Sequence, residues 1–140
     1  MVEIKIDNIL NATEDIIVHQ VNHQGVMGAG LALQIKKKYP LNFQSYVDIC
    51  NKDSWERIQG FGGVSFVFED GKIIANMFGQ RYFGKQHLSP DYKAMRNGLK
   101  TISERADGRK NSNGKNYSIA IPYGLGCGLG KGNWDIVYKM

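Results

Sequence analysis

Two glycine-rich stretches, each directly after a short run of apolar, β-forming residues, constrain this chain more than any other feature. The first reads Ile16-Ile17-Val18-His19-Gln20-Val21-Asn22 and passes into His23-Gln24-Gly25-Val26-Met27-Gly28-Ala29-Gly30. The second reads Ser118-Ile119-Ala120-Ile121 and passes into Pro122-Tyr123-Gly124-Leu125-Gly126-Cys127-Gly128-Leu129-Gly130. Glycines at the mouth of a strand let backbone N–H groups approach a ligand with no side chain between, which is how proteins cradle phosphates. One such loop is a weak signal. Two, each where a strand gives way to a helix, point to a pyrophosphate or nucleotide held between them.

The rest of the pattern supplies a frame for those loops. Strand-like runs occur at Val2 to Ile6, Ile16 to Gln20, Val64 to Phe68, Lys72 to Met77 and Tyr117 to Ile121. Asp70-Gly71 between the third and fourth runs is a two-residue hairpin signal. Helical patterns occur at Leu31 to Lys38, Phe43 to Cys50, Asp91 to Arg105 and Trp134 to Lys139. The long one carries Tyr92, Met95, Leu99 and Ile102 at spacings of three and four, a core-facing stripe. Ser89 is its expected cap and Pro90 its first residue, where a missing N–H costs nothing. Asp107 to Asn116, rich in Gly, Asn, Ser and charge, reads as a mobile surface loop. The pattern predicts one α/β domain over residues 1–140, a three-layer α/β/α sandwich. The Asp-Gly hairpin makes its central sheet mixed, and a short helix ends the chain. In open sheets of this kind ligands bind outside the carboxyl ends of the strands, where both glycine loops begin.

At 140 residues the chain can bury a core without disulfides or metal. No apolar run approaches the roughly 20 residues of a membrane span, and the first residues lack a signal-peptide pattern, so the expectation is cytoplasmic with no membrane partner. Cys50 and Cys127 do not suggest a disulfide scaffold: Cys50 is expected on a buried helix face, and Cys127 has no evident flanking base. His19, His23 and His87 show no ligand spacing with the carboxylates, so neither a metal nor a cofactor is expected. The formal charge is +5, much of it local: Lys36-Lys37-Lys38 ends a helix, and Arg109-Lys110 with Lys115 lies in the polar loop. It reads as a solvated basic face that also suits an anionic nucleotide. Aromatic–basic interleaving and recognised nucleic-acid motifs are both missing, so free nucleic acid is disfavoured as a partner. A monomer is expected.

The run from His19 to Ala32, with Pro122 to Leu129 and the following Asn133-Trp134-Asp135, resembles the macro domains. Within them it is similar to the ALC1-like branch, which includes the terminal ADP-ribose glycohydrolase and the DNA ADP-ribosyl glycohydrolase antitoxins. The similarity covers nearly the whole chain. It implies an ADP-ribose cleft across the top of a mixed sheet. On that resemblance Asn8, Ile9 and Gln20 border the ligand, and Asn22 holds the distal ribose. Gly25, Val26, Met27, Gly28, Ala29, Gly30 and Leu31 line the ribose and diphosphate. Pro122, Tyr123, Gly124, Leu125, Gly126, Cys127, Gly128 and Leu129 close from the other side. The chemistry agrees, since an uncharged amide bonds ribose hydroxyls and N–H groups at a helix start stabilise phosphate charge. Taken alone, Asn22 reads first as a turn-former ending a strand, and only the two glycine loops beside it favour the ligand; Tyr123 either stacks on a sugar or fills the core.

Three positions depart from the family's pattern. Where macro domains usually carry Gly-Asp, its Asp reading the adenine amino group, this chain has Asp7-Asn8. The Asn8 amide still accepts a hydrogen bond, without charge assistance. Glycohydrolases of the branch share a lysine near the end of the fourth strand, where this chain has Gln80. The terminal glycohydrolase has an aspartate shortly after Cys-Gly-Leu, where this chain has Gly130. Glycosidic cleavage normally wants an acid, a base or a nucleophile. Gln80 and Gly130 are none of these. Among Lys85, Lys131, Asp135 and His23, the last is best placed as a substitute, directly after Asn22 and of suitable ordinary pKa. The candidate catalytic set is therefore Asn22, His23 and Gln80. Two readings stand: a hydrolase of an ADP-ribosyl linkage or of ADP-ribose 1″-phosphate, and a non-catalytic reader of ADP-ribose or ADP-ribosylated targets.

Overall fold

The computed structural model describes residues 9–81, 91–108 and 110–122. The strand expected at Val2 to Ile6 and the helix expected at Trp134 to Lys139 lie outside these. After a 3₁₀ turn at Ile9–Asn11, the chain forms strand β1 (Ile16–Asn22), helices α1 (Gly30–Lys38), α2 (Pro40–Lys52) and α3 (Trp55–Gly60), and strands β2 (Val64–Glu69) and β3 (Lys72–Gln80). Helix α4 (Tyr92–Asp107) and strand β4 (Ile119–Ala120) follow. The strand order is β2-β3-β1-β4. β1 runs parallel to β3 and β4, whereas β2 is antiparallel to β3. The sheet is mixed, as the hairpin signal implied.

That hairpin is closed by Asp70 and Gly71, between Glu69 and Lys72, which pair across the strands. Both residues have positive φ, 55° and 78°, as the twist-matched two-residue turn demands. β1 lies inside the sheet and is covered on both faces. Ile16 and Val18 join Ala75, Met77, Met95, Ile102 and Ala106 beneath α4. Ile17 joins Ile35, Tyr39 and Ile74 on the opposite face, against α1. Nearer the carboxyl ends of β1 and β3, Val21 and Phe78 pack with Met27, Tyr46, Trp55, Ile58 and Ala94. The α4 stripe packs as its spacing predicts: Met95 and Ile102 are fully buried, with Tyr92 and Leu99 beside them.

Several expectations need correction. Asp91, not Ser89, caps α4: its carboxylate accepts a 3.0 Å hydrogen bond from Ala94 N. Pro90 is therefore not its first residue. Asp serves at this position as well as Ser does, and the backbone N–H of Asp91 reaches Gly79 O at 2.8 Å, fixing where the helix can start. The last strand is only Ile119–Ala120, not Tyr117 to Ile121, because Ser118 is drawn to Asp15 through its N–H (2.9 Å) and hydroxyl (3.1 Å). The expected mobile loop is a hydrogen-bonded reversal. Lys110 bridges to Asn116, and Asn111 Oδ1 accepts from Asn113 N and Lys115 N. α3 went unexpected. It is a short helix capped by Ser54, whose hydroxyl accepts from Arg57 N at 3.1 Å, and it buries Trp55 and Ile58.

Candidate functional site

β1 and β3 end side by side, with Asn22 opposite Gln80 after an irregularity in the pairing beyond Val21. The chain leaving β1 winds around the Asn22 side chain. Asn22 Oδ1 accepts from Gln24 N at 2.9 Å and from Val26 N at 3.4 Å, while its amide nitrogen donates to Val26 O at 2.8 Å. Short polar side chains at strand ends commonly organise turns in this way. The turn-forming and ligand-facing readings of Asn22 are therefore compatible, because the amide nitrogen carries a second hydrogen. Gly25, at φ 79°, takes the tightest part of the turn. Met27 then plugs into the core with 2% exposure.

Beyond that plug, Gly28, Ala29 and Gly30 are exposed and lead into α1. Ala29 is the cap residue and contributes no side-chain cap to the first turn, which also holds no acidic residue. The first N–H groups of a helix lack intrahelical partners, and they carry the positive end of its dipole. Gly30, the first residue of α1, has φ 57°, and among the described residues nothing lies within 4 Å of where its Cβ would stand. An anion fits there. Leu31 is half-buried and packs against the Ile17 cluster, as does Ile9.

The floor between the strands is built from amides. Gln20 Nε2 donates to Gln80 Oε1 at 3.3 Å, and Gln20 Oε1 is buried without a hydrogen-bond partner. Gly79 lies against Gln20, leaving no room for a Cβ. Asn22, Gln20 and Gln80 bond well to hydroxyls and phosphate oxygens but have no proton to exchange near neutrality. His23 stands apart from them. Its Nε2 lies 2.7 Å from Asp53 O, and a carbonyl only accepts, so Nε2 carries the hydrogen and Nδ1 is the ring's acceptor. The ring meets Trp55 edge-on, and His23 N donates to Arg81 O. This tethers the imidazole toward the junction of α2 and α3.

The structure thus gathers Gln20, Asn22, Gly25 to Leu31 and Gln80 at one end of the sheet. Pro122 follows β4 and is half-buried. Asn8, Tyr123, Gly124, Leu125, Gly126, Cys127, Gly128 and Leu129 lie outside the described residues, as do Lys85, Gly130, Lys131 and Asp135. Tyr46 is a contributor that sequence reasoning missed. It is fully buried, with its hydroxyl 2.8 Å from both Asn22 O and Asn22 Oδ1. Burial pushes the Tyr46 phenol well above its ordinary pKa, so the hydroxyl remains a donor. Cys50, one turn further along α2, is half-buried, with Sγ 4.0 Å from Asn22 O, and burial pushes its thiol up as well. A tyrosine in an otherwise apolar helix face was the available signal, but nothing local showed what its hydroxyl meets.

Comparison with known proteins agrees with this geometry. The family model described as Macro domain matches residues 18–140. A DNA ADP-ribosyl glycohydrolase from Thermus aquaticus is 38% identical over 57% of this chain, an alignment spanning only 21% of that relative's length. The macrodomain of Mycobacterium tuberculosis DarG superposes with a TM-score of 0.76 at 27% identity, covering 99% of this chain and 86% of that one. Thermosipho africanus DarTG in complex with ADP-ribose gives a TM-score of 0.68 at 25% identity over 93% of this chain and 34% of that one.

Proposed function

The chain belongs to the macro domain family, and from that membership we propose that it binds ADP-ribose across the carboxyl ends of β1 and β3 and hydrolyses an ADP-ribosyl linkage or ADP-ribose 1″-phosphate. The observation that carries the binding half is the start of α1, which has no side-chain cap and no acidic residue in its first turn and, among the described residues, leaves Gly28, Ala29 and Gly30 exposed beyond the Asn22 turn. The diphosphate takes the N–H groups there, and the distal ribose takes the remaining Asn22 amide hydrogen. The similarity to a protein solved with ADP-ribose supports the ligand. DNA-linked ADP-ribose is the first macromolecular substrate to try, because the Thermus aquaticus relative is named a DNA ADP-ribosyl glycohydrolase.

For the chemical step, the bound ribose presents its anomeric carbon near a water that the amides orient. His23 directly follows Asn22 in the chain and is the candidate to take that water's proton through Nδ1, which requires its ring to leave the Asp53 carbonyl and turn toward the cleft. The uncharged floor favours a second reading, in which the domain binds and does not cleave. Calorimetry with ADP-ribose and incubation with ADP-ribosylated DNA, ADP-ribosylated protein and ADP-ribose 1″-phosphate decide between them. We expect binding, release of product from at least one substrate, and a loss of rate of about a hundredfold in His23→Ala, the lower end of the range usual for a general base. Millimolar ADP-ribose giving neither heat nor a thermal shift would sink the binding claim. Tight binding without turnover would leave the reader, and full turnover by His23→Ala would remove the histidine's role.

A further inference from the structure

We propose that Tyr46 is a positioning residue for this cleft: its buried hydroxyl sets the orientation of the Asn22 carboxamide and the path of the Gly25-containing turn. The proposal deepens the ADP-ribose reading and rests on it for the ligand. Tyr46 packs in the cluster of Val21, Met27, Trp55, Ile58 and Phe78, where a buried phenol oxygen is costly unless bonded and a phenylalanine would fill the same space. The polar atoms offered to it come from the end of β1 and the turn that follows, with the Cys50 thiol beside them on α2. Asn22 O and Asn22 Oδ1 each lie 2.8 Å away, and the backbone N–H groups of Gly25 and Val26 face it as well.

The consequence follows from the inventory of an amide. Three donors converge on Asn22 Oδ1: Gln24 N, Val26 N and the Tyr46 O–H, whose single hydrogen is shared with Asn22 O. That arrangement permits one orientation of the carboxamide, oxygen inward and nitrogen outward. A flip would set the amide hydrogens against those donors. With Val26 O taking one amide hydrogen at 2.8 Å, the other is presented in a fixed direction to a ligand hydroxyl. Tyr46 lies on α2, so the helix that packs behind the loop also sets what the loop displays. Fixed donors lower the ordering cost of binding.

A double-mutant cycle on ADP-ribose affinity tests this, using Tyr46→Phe, Asn22→Ala and the pair. Tyr46→Phe keeps the ring and leaves the two Asn22 oxygens with other donors, so it folds. We expect it to weaken ADP-ribose binding about tenfold in the wild-type background and to have no further effect in Asn22→Ala. Equal weakening in both backgrounds, or unchanged affinity, overturns the proposal, because a merely structural hydroxyl would not act through Asn22. A ligand-free readout separates this from failure of the ADP-ribose reading. Amide hydrogen exchange at Gln24 and Val26 should quicken in Tyr46→Phe relative to β1. If the wild type binds no ADP-ribose, the ligand assignment fails. Exchange that is unchanged at both amides would still overturn the positioning role.

Discussion

A Cβ built at Gly79 would stand 2.6 Å from Gln20 Oε1 and 2.8 Å from Met95 Cγ. Both neighbours are flexible side chains, so the fold survives Gly79→Ala, but Gln20 must move off its 3.3 Å hydrogen bond to Gln80. Overpacking of this kind typically costs about 1–3 kcal/mol. The expected outcome is a lowered urea midpoint together with weaker ADP-ribose binding, since the amide floor shifts with Gln20. An unchanged midpoint would show that the space is softer than the contacts imply. Residues at this scale differ in how far the sequence exposes them. Asn22 and the glycines after it declare themselves by following an apolar run. Tyr46 does not, because its partner lies 24 positions away in the chain and only packing joins them. His23 was legible as a candidate, yet its bond to Asp53 O depends on the unforeseen α3 region.

Among the elements, those with a clear period were readable and those held by tertiary bonds were not. β2 and β3 meet in the register that Asp70-Gly71 dictates, and the α4 stripe buries as spaced. β3 continues to Gln80, three residues beyond the Met77 that ends the strand-like run in the sequence. α3 has six residues, too few for a helical period, and only its Ser54 cap marks it. α4 starts one residue after Asp91, whose carboxylate accepts from Ala94 N and whose N–H meets Gly79 O. Losing a cap side chain costs about 1 kcal/mol, so Asp91→Ala should lower stability by that much while Asp91→Ser should restore most of it. Chemical denaturation of the three proteins checks this. If Asp91→Ala matches the wild type, the cap contributes nothing and the backbone bond alone sets the helix start.

At the scale of the whole molecule, one connected set of buried polar groups among the described residues, away from the cleft, gives the stability a pH dependence. His19, Asn42 and Asn76 have 1%, 0% and 0% exposure. Asn76 Nδ2 donates to Asn42 Oδ1 at 2.8 Å, and Asn42 Nδ2 donates back to Asn76 Oδ1 at 3.1 Å. Asn76 Oδ1 thus accepts, so His19 Nε2, 2.6 Å from it, carries the hydrogen. The imidazole is neutral, and Nδ1 is buried without a partner. Burial pushes its pKa down from 6.5 to about 4, against the smaller upward pull of the Asn76 bond. Between those values the unfolded chain takes up a proton that the folded chain refuses. Stability from this group is therefore complete above the unfolded pKa and lost as pH falls toward the folded one, by about 3 kcal/mol in all. Asp15 acts lower. The Ser118 backbone bond holds its pKa below the ordinary 3.8, so its contribution persists until the medium is more acid still. His19→Gln keeps a donor of similar reach and removes the titration. Urea unfolding at pH 7.5, 6 and 5 should show the wild type losing stability more steeply than His19→Gln, with the gap widening as pH falls. Parallel curves for the two proteins would mean that His19 is protonated in the folded core and that the Asn42–Asn76 pair accommodates its charge.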